Sequence, residues 1–260
     1  MCTARFLLAS FVLNSTMISM AQQAQPMTAV ALFRVEPPNT GAYMAKAKEY
    51  IPTLEKLLNE GVLLSYGMDE DVLHHPTRLN VAFWYTVTNY SNLQKAEDAI
   101  AAFQAKSPEL MKAMAGLTDL SKHQDIIVRS LEGNWSKASG CSNPVSMFNQ
   151  NTIKAGRQRD FVEAFRSFQK PVLEELVKSG AICFYSLDVE AVHTMRQGTS
   201  WIIIGVPNLG AADKVDAAFA EATGKLSASE GAARRQMSAD LVEAGKHEDS
   251  LSRAVVFKAK

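Results

Sequence analysis

Two hydrophobic rhythms alternate along this chain, and the same succession of them occurs twice. Ala29–Val35 is an apolar run closed by Glu36-Pro37-Pro38, as a short strand would be. From Tyr43 to Leu58 the apolar residues fall at Met44, Ala47, Ile51, Leu54 and Leu58. That spacing predicts one buried helix face, with Gly61 as its C-terminal cap. Val62–Met68 and Asn80–Val87 read as two strands joined by a polar hairpin from Asp69 to Leu79. A second helix starts near Asn89–Ser91, runs through Leu93–Ala105 and continues as Pro108–Leu117. Ile126–Val128 predicts a last strand. The plan then recurs. Met147–Ile153 is a strand, and Phe161, Phe165, Phe168, Val172, Leu176 and Val177 mark a helix stripe. Ile182–Leu187 and Ser200–Val206 are strands, Ala211–Ala222 and Gln236–Ala244 are helical, and Ala254–Phe257 is the last strand.

The recurrence is literal. Shifted by 119 positions, Ala45–Ala99 lies over Ala164–Ala218 without a gap, with thirteen of 55 positions identical. Among them are Pro52/Pro171, Gly61/Gly180, Tyr66/Tyr185, Asp69/Asp188, His74/His193 and Asn89/Asn208. With a shift of 124, Lys122-His123-Gln124-Asp125 meets Lys246-His247-Glu248-Asp249. A repeat of this length is a small domain rather than a solenoid unit. Pro52 and Pro171 fall inside the first helix of each repeat, where proline removes a backbone hydrogen bond and bends the helix.

The segments divide as residues 1–21, 27–130, 131–144 and 145–260. The first has a signal-peptide pattern: Arg5, an apolar Phe6–Leu13, and small residues at Ser19 and Ala21. We expect export, to a periplasm or the exterior, with about 239 residues remaining after cleavage. The apolar run is too short to span a bilayer, so no membrane association is expected once it is removed. Glu132–Pro144 is polar and turn-rich, a linker whose Trp135 packs onto a domain. Lys plus Arg balances Asp plus Glu at 27 each, which argues against a nucleic-acid partner. Cys141 lies in the linker. Cys183 lies in a strand and reads as a small buried hydrophobe. Two cysteines are not a disulfide framework, although an oxidising compartment leaves a bridge between them open.

The middle strands Ala82-Phe83-Trp84-Tyr85 and Trp201-Ile202-Ile203-Ile204 are apolar on both faces. Helices cover one face, and the sister repeat is the simplest cover for the other. This βαββαβ plan resembles the dimeric α+β barrel superfamily, with two ferredoxin-like protomers fused in tandem. Ile153-Lys154-Ala155-Gly156-Arg157, Pro171–Gly180 and Trp201–Val206 followed by Asn208-Leu209 are similar to its NIPSNAP-like and antibiotic-biosynthesis-monooxygenase-like branches. The resemblance implies an α+β fold: two tandem βαββαβ repeats packed sheet-to-sheet as a pseudo-dimeric barrel. It leaves the activity open, because the superfamily spans cofactor-free oxygenases, haem enzymes, isomerases and proteins without known activity. The Asn/His/Trp set of the haem-degrading branch has no counterpart here.

The candidate catalytic residues are a repeated triplet, Tyr66, Asp69 and His74 with Tyr185, Asp188 and His193. A carboxylate that orients an imidazole beside a phenol could abstract a proton from an acidic substrate, the first step of a cofactor-free oxygenase. The same residues also suit a hairpin that Asp and His cap. Phe83, Trp84, Tyr85 and Trp201 are the candidate lining of a ligand pocket. His123 and His247 fit helix C-terminal charge complementarity, with a haem ligand as the alternative. No phosphate loop, dinucleotide fingerprint or zinc spacing occurs. The expectation is a protein that binds a small apolar or aromatic molecule without a cofactor, as an internally pseudo-dimeric monomer or a homodimer. An oxygenase using the hairpin Asp and His residues, and a packed interaction module, are the alternatives.

Overall fold

A computed structural model describes residues 25–73, 79–192 and 198–260. The signal-peptide segment 1–21 and the two histidines His74 and His193 lie outside the described residues. Eight strands form one closed barrel in the order β1-β3-β2-β8-β5-β7-β6-β4. They are β1 (Met27–Val35), β2 (Leu63–Asp71), β3 (Val81–Val87), β4 (Thr118–Asn134), β5 (Val145–Thr152), β6 (Phe184–Glu190), β7 (Thr199–Val206) and β8 (Glu248–Ala259). Every neighbouring pair is antiparallel. Strands β1, β2, β5 and β6 therefore run one way, and the β2–β3 and β6–β7 connections both leave from one end, called here the upper end. The helices α1 (Thr40–Ala47), α2 (Ile51–Asn59), α3 (Tyr90–Lys106) and α4 (Pro108–Ala115) belong to the first repeat, and α5 (Gln158–Phe168), α6 (Lys170–Lys178), α7 (Ala212–Gly224) and α8 (Ala228–Leu241) to the second. Among the described residues, no helix is long and apolar enough to cross a membrane.

The barrel closes by exchange. Each repeat's last strand pairs within its own repeat and with the other: β4 with β1 and β6, and β8 with β5 and β2. Both strands are longer than the short apolar cores Ile126–Val128 and Ala254–Phe257 suggest, because their polar ends still find ladder partners. Leu131–Asn134, at the start of the expected linker, is strand that pairs with β6. The apolar middle strands are thus covered by helices outside and by barrel interior inside.

The repeated residues explain themselves locally. Pro52 sits in the first turn of α2 and Pro171 in that of α6. Each proline starts a new helix after α1 or α5, so the bend expected from sequence is a break, since proline suits a first turn and not an interior. Gly61 and Gly180 end these helices at φ of 78° and 72°, where a Cβ would be strained. Asn89 and Asn208 cap the next helical segments, accepting from Asn92 N at 2.9 Å and Ala211 N at 3.1 Å.

One core lies under the helices of each repeat, Leu54, Leu63 and Val87 in the first and Leu173, Ile182 and Val206 in the second being fully buried. A third closes the lower end of the barrel. Trp135 stacks on Phe184 with centroids 4.1 Å apart, Phe184 on Phe257 at 5.7 Å, and Trp84 tilts onto Phe257 at 5.9 Å. Gly67 makes room for Trp84 and Gly205 for Phe184, for an added Cβ would lie 2.4 Å and 2.2 Å from those rings. The linker tryptophan thus packs onto the barrel. A disulfide joins Cys141 to Cys183 beside it, with Cα atoms 6.1 Å apart. Cys183 is buried, as expected, yet bonded rather than a free hydrophobe.

Candidate functional site

The strand pleat divides the expected triplet. Tyr66 and Asp69 are three residues apart in β2, so they point to opposite faces. Tyr66 is fully buried under the helices with Leu54 and Leu57, its hydroxyl without a hydrogen-bond partner. Burial, then the nearby Glu55 carboxylate, pushes that phenol to about 12. Tyr185 occupies the matching place and donates to Glu174 Oε1 at 2.5 Å. Burial and that carboxylate hold its proton on. The two tyrosines pack the helix layer and do not meet the aspartates.

Asp69 and Asp188 instead face into the barrel, 5% and 4% exposed, on the walls of an upper cavity of about 400 Å³. Asp69 Oδ2 accepts from Trp84 Nε1 at 2.8 Å, and Asp188 Oδ2 accepts from Ser186 Oγ at 3.0 Å. The other oxygen of each has no hydrogen-bond partner. Burial raises both acids, Asp69 to about 7 and Asp188 to about 6. The Trp84 N–H on one, and on the other the Ser186 hydroxyl with Ser130 close by on the paired strand, only partly offset it. Trp201 lies on the same wall and donates to Gln150 Oε1 at 3.0 Å.

The pleat separates the expected pocket residues too. Trp84 and Trp201 face the barrel interior, while Phe83 and Tyr85 face the helices. There, between β1, β3, β4 and the helices of the first repeat, lies a second cavity of about 470 Å³. Its walls include Tyr43, Tyr50, Phe83, Tyr85, Glu97 and His123. Gln104 Nε2 donates to the Tyr50 hydroxyl at 3.1 Å, and the Tyr85 hydroxyl donates to Glu97. Burial, then Glu97, raises Tyr85 well above the usual phenol range, and burial does the same to Tyr43.

His123 is the residue that sequence reading undervalued. It does not follow a helix end. Thr118 already begins β4, so His123 and Asp125 are two apart on one strand and share a face. The imidazole stacks on Phe33 at 4.6 Å, and its Nε2 lies 3.1 Å from Asp125 Oδ1. A carboxylate-oriented imidazole, of the kind expected of the hairpin residues, occurs at His123–Asp125 on a cavity wall shared with Tyr50 and Tyr85. The repeated His-x-Asp, at strand rather than helix spacing, was the available signal.

The fold can now be compared with known structures. A "putative monooxygenase" from Fusobacterium nucleatum matches with a TM-score of 0.59 at 11% identity, over 91% of this chain and 95% of that one. One from Lactobacillus acidophilus matches with a TM-score of 0.58 at 14% identity, over 90% and 96%. An anthrone oxidase-like protein matches with a TM-score of 0.52 at 10% identity, over 92% and 94%. The chain has the dimeric α+β barrel fold. These likenesses run through both repeats, as the tandem pseudo-dimer predicts. No protein-family profile and no curated protein sequence matches the chain.

Of the two described histidines, neither presents a free Nε2 to a haem. The Nε2 of His123 is taken by Asp125 and its ring face by Phe33. Both nitrogens of His247 are engaged, Nε2 by Asp249 at 2.9 Å and Nδ1 by Asn151 at 3.3 Å. Among the described residues, no cluster of three or more His, Cys, Asp or Glu could hold a metal ion.

Proposed function

We propose that this is an exported protein that binds one small aromatic molecule between the helices and sheet of its first repeat, and that it oxidises that molecule without a cofactor. The observation that carries the reading is the cavity of about 470 Å³ walled by aromatic rings, with the His123–Asp125 pair at its edge. That volume falls in the range of small-molecule sites and suits two or three fused rings. The polar groups are few and placed: Glu97 holds the Tyr85 hydroxyl and Gln104 holds that of Tyr50. The names of the three fold neighbours are consistent in kind with such chemistry.

The pair supplies the base. With its Nε2 proton held toward Asp125, His123 accepts through Nδ1 the acidic proton of a phenol or of a C–H beside a carbonyl. Asp125 stabilises the imidazolium that forms. The electron-rich anion left in the apolar pocket is then oxidised by dioxygen. For anthrone as the probe, one substrate and one dioxygen give one anthraquinone and one water, and the proton returns from His123 to oxygen. Export is supported by the signal-like N-terminus and by the Cys141–Cys183 bridge, which persists in oxidising compartments.

Residues 22–260, purified oxidised from an exporting host, should take up dioxygen with anthrone and release the quinone. His123→Ala should abolish this with the fold retained. Binding without oxygen uptake would leave a binding protein; absence of binding would overturn the reading.

A further inference from the structure

The barrel interior is a second, chemically different chamber. Its middle walls are aliphatic, with Val30, Leu32, Ile126, Val128 and Ile203 beside Trp201, and the Trp84–Phe257–Phe184–Trp135 stack closes the other end of the barrel. Its charged lining is entirely acidic among the described residues: Asp69 and Asp71 from β2, Asp188 from β6 and Glu248 from β8. Asp69 and Asp188 are more than nine-tenths buried, and each keeps one oxygen without a donor. A buried carboxylate oxygen left bare costs free energy unless a donor reaches it. Two of them, repeat mates on one cavity, call for a common explanation.

We propose that the upper barrel cavity binds a small organic ammonium ion, its charged head on the bare oxygen of Asp69 or of Asp188, which stand on opposite walls, and its apolar body against the aliphatic wall. The chemistry selects this class. An anion would be repelled by the four carboxylates that are the charged lining among the described residues. A neutral apolar molecule would leave the bare oxygens unpaired. A metal ion needs ligands gathered round one point, and among the described residues no such cluster exists. An ammonium group brings several donors and a positive charge, and its hydrocarbon body suits the rest of the wall. Of the two acids, Asp69 is held by Trp84 and Asp188 by Ser186 on its own strand. Both are thus fixed before a ligand arrives, which lowers the ordering cost of binding. The ligand would also draw the acid it meets toward the charged form, so binding should release protons near neutral pH. This inference is independent of the helix–sheet pocket.

The test is calorimetric titration of oxidised 22–260 with 1-naphthylmethylamine, 1-naphthylmethanol and 1-naphthoate, which share a ring system and differ in charge. The amine should bind at least tenfold more tightly than the alcohol, and the acid not at all. Asp69→Asn and Asp188→Asn keep the size and one acceptor. At least one of the two should weaken the amine at least tenfold, with an unchanged far-ultraviolet spectrum reporting the fold. His123→Ala, in the other pocket, should leave amine binding as it was. Equal binding of amine and alcohol, or amine binding indifferent to both Asn variants, would overturn the proposal. So would loss of amine binding in His123→Ala alone, by placing the amine between helices and sheet.

Discussion

The two repeats share a backbone plan and differ in what lies between helix and sheet. In the first, β3 presents Phe83 and Tyr85 and the helix layer presents Tyr50 and Glu97, around a cavity. At the aligned positions the second repeat has Ile202, Ile204, Gln169 and Asp216. The same holds along the last strands. His123 faces Phe33 in the β1–β4 ladder, whereas His247 lies beside Asn151 and Asp249 pairs with Asn149 in the matching ladder. One repeat has its imidazole–carboxylate pair on an aromatic wall and the other has that pair in a polar asparagine network, both pairs being partly exposed. The identical residues of the two repeats serve caps, helix breaks and core. The differing ones decide whether the repeated His-x-Asp pair borders an aromatic cavity.

That contrast can be broken most strongly at the paired histidines. His123→Ala should lower anthrone oxidation by at least about a hundredfold, the range for removing a general base, while His247→Ala stays within about twofold in the same oxygen-uptake assay. Equal losses would mean that the repeats are functionally alike.

Next in size is the disulfide, which only the second repeat has, since Leu64 stands where Cys183 does. Closing a loop over 42 residues is worth about 4 kcal/mol by chain entropy. Cys141→Ser with Cys183→Ser should lower the melting temperature by about 10 °C in calorimetry.

The two buried aspartates sharpen the comparison through pH. Their pKa values rise on folding from 3.8 to about 7 for Asp69 and about 6 for Asp188. The native state therefore binds more protons than the unfolded chain between those limits, and stability falls as pH rises through the window. Asp69→Asn should stabilise the protein by a few kcal/mol at pH 8 and hardly at pH 4, given about 1.4 kcal/mol per pKa unit. Asp188→Asn should do the same by less. Melting curves across pH check both slopes.

The smallest effect concerns the matched tyrosines. Tyr185→Phe removes a bond to Glu174 and should cost about 1 kcal/mol, whereas the Tyr66 hydroxyl has Glu55 nearby but no well-formed hydrogen bond, so Tyr66→Phe should cost less. Urea denaturation of the pair separates them.

Much of the fold was legible because the repeat supplies each signal twice. Two prolines, two capping glycines and two capping asparagines mark the same helix ends. The barrel followed from middle strands apolar on both faces. The ends of β4 and β8 were not legible, because Lys122–Asp125 and Glu248–Ser250 are polar strand held by cross-barrel ladders that no local pattern encodes. The site was legible in its residue types and not in its assembly. Sequence spacing grouped Tyr66 with Asp69 and Trp84 with Tyr85, and the pleat sends the members of each pair to opposite faces. The Cys141–Cys183 bridge depends on the linker folding under the barrel, which only tertiary packing decides.

The most direct test of the account is the affinity of anthrone, measured by anaerobic titration, for the native protein and for Tyr50→Gln/Phe83→Ile/Tyr85→Ile, which gives the first repeat the residues of the second. The account predicts binding to the native protein and at least a tenfold loss in the triple variant, with the barrel's melting transition still cooperative. Undiminished affinity in that variant would contradict it, because the ligand would then lie outside the aromatic pocket of the first repeat.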